Sequence, residues 1–141
     1  MDTFFSLGLL LNRASVALSK SLNSSISANN IDLPHSQFIV LRCLYYNDGI
    51  SQFDIAKLLS KDAAAIKRTV DQLEKKEFVI RKQIRNLKNS VCITDKGKKL
   101  MPQVLEIAKA VIDKALIGIE EESRNSLQIM LEKVFINLEN E

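Results

Sequence analysis

The stretch that decides the fold runs Ile50-Ser51-Gln52-Phe53-Asp54-Ile55-Ala56-Lys57-Leu58-Leu59-Ser60-Lys61-Asp62-Ala63-Ala64-Ala65-Ile66-Lys67-Arg68. Ser51 and Asp54 have the spacing of a capping box, a hydroxyl at the N-cap with a carboxylate three residues on. They open a short helix to about Ser60, with Ile55, Leu58 and Leu59 facing inward. Asp62 can cap a second helix from Ala63 to about Lys76. That helix buries Ile66, Val70 and Leu73 and leaves Ala64, Lys67, Arg68, Asp71 and Lys75 on its other face.

Upstream, Pro34 suits the first turn of a helix from His35 to Tyr46, with Phe38, Leu41 and Tyr45 on one face. Asn47-Asp48-Gly49 ends it as a turn. Downstream the apolar period falls from 3.6 toward 2, so that residues 78–84 read as a strand, 85–89 as a turn and 90–93 as a returning strand. Thr94 then caps a helix from Asp95 to about Ile117, striped by Leu100, Val104, Ile107, Val111 and Ile112. Gly118 interrupts, and Glu120, Glu121 and Glu122 favour the start of a last helix. Its seam is Leu127, Leu131, Val134, Phe135 and Leu138. At the other end, residues 2–27 form a long helix striped by Leu7, Leu11, Ala14, Leu18 and Leu22, widened by Phe4, Phe5 and Leu10.

Two short helices joined by a tight turn, then a hairpin with a basic tip, make a winged helix-turn-helix. The fold class is mainly α with a small two- or three-stranded antiparallel wing (α+β). A chain of 141 residues with four Gly and two Pro supports one mostly helical domain rather than a sandwich or barrel. Within it, residues 1–30 read as an N-terminal dimerisation helix, 31–99 as the winged region and 100–141 as C-terminal dimerisation helices.

Charge is segregated along the chain. Residues 51–100 carry 13 basic and 6 acidic side chains, whereas residues 1–50 are neutral and 101–141 are net −4. A basic middle between neutral and acidic ends fits a polyanion-binding surface. The major groove of DNA admits one helix, and the second of such a pair is the one presented to it. Lys67 and Arg68 project from the middle of that helix, and Arg81, Lys82, Arg85 and Lys88 make the hairpin a cationic finger for phosphates. Enzyme chemistry finds no support: the single histidine, His35, sits in no motif, and no Gly-rich phosphate loop or nucleophile–base pair is visible. Cys43 and Cys92 fit no metal-ligand spacing and read as reduced thiols in a cytoplasmic protein, so no metal or cofactor is expected. No apolar run approaches the ~18 residues of a membrane span. The rival reading is a winged-helix protein-interaction module whose basic face is only solvated.

Four segments resemble the MarR family of bacterial regulators, in order and at the family's spacings. They are Leu33 to Leu41 with its Pro34, Ile50 to Leu59, Asp62 to Val79, and Ile93-Thr94-Asp95-Lys96-Gly97. The resemblance implies a homodimer whose first and last helices interlock, and a ligand-responsive repressor bound to a pseudo-palindromic operator in double-stranded DNA. It places Ser51 and Gln52 at the DNA backbone, Ala64, Ala65, Lys67 and Arg68 in the groove, and Arg85 and Lys88 at the wing tip. It also implies a site for a small phenolic or anionic ligand, with Arg13, Arg42, Tyr45 and Tyr46 as candidate lining. The chain departs from the family in two places. Ala64 and Ala65 stand where hydroxyls are usual, which points to contact with thymine methyls. The wing lacks the usual Asp ahead of its tip Arg, which leaves open which wing residue enters the minor groove.

Overall fold

The computed structural model describes residues 2–84 and 87–139. Among them are six helices and one hairpin: α1 (Thr3–Ala28), α2 (His35–Tyr46), α3 (Gln52–Leu59), α4 (Ala63–Lys75), β1 (Val79–Ile84), β2 (Leu87–Ile93), α5 (Asp95–Ala115) and α6 (Glu121–Glu139).

The helix starts are set by side chains that absorb N–H groups the helix cannot satisfy itself. Asp2 accepts from Phe5 N, Ser51 from Asp54 N, Asp62 from Ala64 N and Thr94 from Gly97 N. Helix α2 is capped differently. Pro34, which is its N-cap, offers no side-chain acceptor, and the Oδ1 of Asn23 on α1 takes the His35 N–H at 2.6 Å. Helix ends use left-handed residues other than glycine: Asn30, Ser60 and Glu77 have φ of 58°, 52° and 65°. After Glu77, Phe78 N donates to Leu73 O at 3.0 Å, which closes α4 and aims the chain into β1.

The core lies between α1, α2, α4, α5 and the hairpin. Leu41, Leu44, Ile55, Val70, Leu73, Val79, Val91, Met101 and Val104 are wholly buried in it. Each such side chain contributes about 1.5–3 kcal/mol through the apolar area it removes from water. The strands pair antiparallel with Val79 opposite Ile93 and Arg81 opposite Val91, and the register slips between Lys82 and Ile84. The third strand is reduced to one bridge, in which Val91 N donates to Ile50 O at 2.8 Å. Ile93 N donates to Asp48 Oδ1 at 2.9 Å, so the α2–α3 turn holds the base of the wing.

Three sequence expectations are corrected. Leu58 is 60% exposed, because an eight-residue helix turned by Ser60 presents only Ile55, Ala56 and partly Leu59 to the core. Ile112 is 45% exposed, and Met101, outside the expected stripe, is buried in its stead. Strand β2 begins at Leu87, so the backbone of Lys88 lies in the strand rather than in a tip loop.

Candidate nucleic-acid interface

Helices α3 and α4 meet through their buried faces, Ile55 and Ala56 against Ile66, Val70 and Leu73, which leaves the first turn of α3 and one face of α4 outward. The Oγ of Ser51 is spent as the acceptor of its own cap, but its O–H is still a donor. Ala64 is exposed and Ala65 half-buried beside the start of α4, where they add no polar group. Arg68 is exposed and has no ion-pair or hydrogen-bond partner among the described residues. A cation fixed on a packed helix and left unpaired can reach a base edge or a phosphate without first breaking a bond.

Lys67 is exposed but tied: its Nζ lies 3.2 Å from Asp71 Oδ2, one turn along α4. Exposed pairs of this kind are weak, so a phosphate can draw Lys67 away. Asp71 also lies 2.6 Å from Arg81 of β1. The Arg81 guanidinium beside Asp71 is the main cause that holds its carboxyl below the usual range, with Lys67 second.

Arg81 is placed differently from the sequence expectation. Its side chain is only 19% exposed, and Nη1 lies 2.8 Å from Glu74 Oε1. Nε and Nη2 donate to Gln52 Oε1 at 3.0 and 2.8 Å. The expected phosphate finger is instead an internal buckle joining α3, α4 and β1. Its single positive charge faces two carboxylates. Sequence reading missed Asp71 and Glu74 as partners; their three-residue spacing on α4, facing a strand arginine, is the only signal that could have found them.

Lys82 is exposed, with no ion-pair or hydrogen-bond partner among the described residues, on the strand next to Arg81. Arg85 lies outside the described residues. Lys88 is on β2, and only its backbone is described.

The candidate ligand residues divide. Arg42 and Tyr46 line a cavity of about 280 Å³ with Ile39, Cys43, Asn47, Leu58 and Leu59. The Arg42 guanidinium sits 5.2 Å from the Tyr46 ring centre, a cation–π distance. Tyr45 meets Tyr46 edge-on but packs against the core rather than lining this cavity, and Arg13 stands exposed on α1, away from it. Of the four residues, Arg42 and Tyr46 line this cavity and Arg13 and Tyr45 do not. Burial raises both thiols, Cys43 and Cys92, above the ordinary cysteine value, which keeps them in the unreactive protonated form.

The terminal helices leave their apolar side chains uncovered. Leu7, Leu11, Leu127 and Leu131 line one groove of about 680 Å³ between α1, α5 and α6. Phe135 lines a second, with Ile50, Asp54, Lys57 and Leu58. Val134 and Leu138 are also exposed, and among the described residues no residue of α6 is buried. Among the described residues no helix is long and apolar enough to cross a membrane.

Comparison with known proteins agrees with this architecture. The MarR family model matches residues 33–87, the span from the approach to α2 through the start of β2. The uncharacterized HTH-type transcriptional regulator YdgJ of Bacillus subtilis (strain 168) is 30% identical over 110 residues, 77% of this chain and 67% of that protein. A MarR transcriptional regulator from Methanosarcina mazei Go1 superposes with a TM-score of 0.84 at 25% identity, over 97% of this chain and 91% of that one. A mutant MarR from E. coli, solved in complex with operator DNA, superposes with a TM-score of 0.82 at 25% identity, over 95% and 99%. The chain belongs to the MarR family and is a winged helix-turn-helix transcriptional regulator, not an enzyme.

Proposed function

We propose that two copies of this chain bind one pseudo-palindromic site in double-stranded DNA, each inserting α4 into the major groove, and that the complex represses until a small ligand releases it. The observation that carries the reading is Arg68, an exposed cation in the middle of a packed helix, with no partner among the described residues. The operator complex of the E. coli relative supports it. So does the net +7 charge of residues 51–100.

In this reading residues 1–30 and 100–141 dimerise, and residues 31–99 meet DNA. Ser51 and Gln52 contact phosphates from the N-terminus of α3, where the helix dipole favours an anion. Ala64 and Ala65 lie against thymine methyls, and Lys67 and Arg68 provide the polar contacts in the groove. Lys82, Arg85 and Lys88 track the backbone from the wing. The Arg42–Tyr46 cavity takes a planar anion: the guanidinium pairs with a carboxylate or phenolate, and the ring stacks on it. A carboxylate bound there would also sit against α3, where it could shift the DNA-binding pair.

Selection of binding sites from a random duplex pool, followed by titration at several salt concentrations, tests the reading. Arg68→Ala is expected to cost about 1–3 kcal/mol per subunit and to relax preference at one symmetric position. Lys88→Ala is expected to weaken all sequences alike and to reduce the salt slope by roughly 0.9 per contact. If Arg68→Ala leaves both affinity and preference unchanged, α4 does not read the bases. If the wild type shifts no duplex even at low salt, the winged helix is a protein-binding module.

A further inference from the structure

We propose that Arg81 is a positioning residue rather than a DNA contact: together with Lys67 it neutralises the two carboxylates on α4 and, by occupying the side-chain oxygen of Gln52, turns that residue's N–H donors toward the DNA backbone. The inference rests on the reading of α3 and α4 as the DNA-facing pair and deepens it.

A guanidinium has five N–H donors and no acceptor. Four of the five are used here, by Gln52 twice, by Asp71 and by Glu74. One remaining donor cannot make the two-bonded contact that gives arginine its hold on a phosphate. The backbone of Arg81 joins the same cluster, its N–H donating to Glu74 Oε2 at 3.3 Å. The backbone of β1 is thereby pinned to α4 at Glu74, three residues beyond Asp71.

The second half of the argument concerns Gln52. An amide carries its acceptor and its donors on opposite arms, and only the oxygen can face a donor-only guanidinium. Both bonds from Arg81 go to Oε1. The Nε2 arm is therefore directed away from the cluster, and its N–H groups have no hydrogen-bond partner among the described residues. Gln52 is the first residue of α3, next to the free O–H of Ser51. Two side-chain donors and the unpaired N–H groups of a helix N-terminus then lie together, a set suited to one phosphate.

Neutralisation matters because Asp71 and Glu74 stand on the helix that approaches the DNA. Without Arg81 they would leave a net negative charge beside the phosphates, and the like-charge repulsion would oppose binding. Lys67 alone offsets one of them.

The test separates the two roles by opposing their signs. Gln52→Glu keeps the oxygen that Arg81 holds and strengthens that bond, so the melting temperature should hold or rise. It also replaces the outward donors with a second acceptor, so affinity for the selected duplex should fall at least ~10-fold below that of Gln52→Ala, the scale of one charge-assisted hydrogen bond. Equal affinity of the two variants overturns the orientation of Gln52. Arg81→Met should weaken binding in the wild-type background but by less than about threefold once Asp71→Asn and Glu74→Gln are present, because the charges it balanced are gone. An equal loss in both backgrounds makes Arg81 a phosphate contact and overturns the proposal. A readout without DNA distinguishes failure of the interface: carbon-13 titration of the Asp71 carboxyl should move up toward the ordinary range in Arg81→Met. A wild type that shifts no duplex sinks the DNA reading, whereas an unmoved Asp71 titration sinks the neutralisation alone.

Discussion

The winged region and the terminal helices follow the same sequence rule and end in opposite states. Both carry apolar side chains every three or four residues. From Leu22 to Val111 those side chains find one another within the chain, and all the buried hydrophobics of the core fall in that interval. On either side, Leu7 is 51% and Phe135 49% exposed. Helical periodicity thus reports that a face must be covered, and says nothing about whether the cover comes from the same chain. Here the grooves lined by Leu7, Leu11, Leu127 and Leu131 and by Phe135 are left uncovered by the chain itself.

The largest expected effect breaks that comparison at its open end. Replacing Leu131→Glu together with Phe135→Glu should abolish the dimer and give aggregated or unfolded protein at micromolar concentration, because each copy loses about 1.5–3 kcal/mol of burial per side chain and gains a charge in an apolar seam. Light scattering decides it. A wild type that is a monomer at that concentration, with a sharp melting transition, would mean the terminal helices need no partner and the contrast is false.

Gly97 tests the closed end. A Cβ there would lie 2.6 Å from Phe78 O and 2.8 Å from Ile93 Cγ1. Neither neighbour can give way, since Phe78 O accepts the Thr94 N–H at 3.0 Å and Ile93 is packed in the core. Gly97→Ala should therefore destabilise by about 1–3 kcal/mol in a chemical melt, the usual cost of overpacking. It should weaken DNA binding through the base of the wing while the dimer, measured by light scattering, persists. Loss of the dimer in step with the melt would instead show that the two regions fold as one unit.

Legibility in the sequence follows the same divide between local and distant causes. The caps at Ser51, Asp62 and Thr94 were readable because donor and acceptor lie within three residues. The buried face of α4 was readable because Ile66, Val70 and Leu73 repeat with the helix. The fate of Arg81 was not, since its partners lie 7, 10 and 29 residues away and only the folded hairpin brings them together. Nor was the start of β2, where no turn-forming pair marks the reversal and the chain simply pairs as far as Leu87. That Arg42 and Tyr46 line one cavity while Arg13 and Tyr45 do not was equally hidden, because residue type does not reveal which way a side chain leaves its helix.

The smallest effect lies at the seam where α1 hands over to the winged region. His35 begins α2, and its backbone N–H is held by Asn23 of α1. Burial lowers the affinity of its ring for a proton, and the nearby charge of Lys61 lowers it further. The folded chain therefore favours the neutral ring, while the unfolded chain takes up a proton near the ordinary value of ~6.5. Above that pH both states are neutral and His35 has no effect on stability. As pH falls through it the unfolded state gains protons first, so stability declines, and the decline ends once the folded ring is protonated too. His35 is the only histidine, and ordinary carboxylates titrate nearer ~4, with Asp71 lower still, so the window between pH 7 and 5 belongs to this one ring. The melting temperature of the wild type should drop by a few degrees at most across it, and His35→Gln, which keeps the backbone bond to Asn23, should flatten the slope. A slope that survives the substitution would place the pH response at another group and leave the seam insensitive to protons.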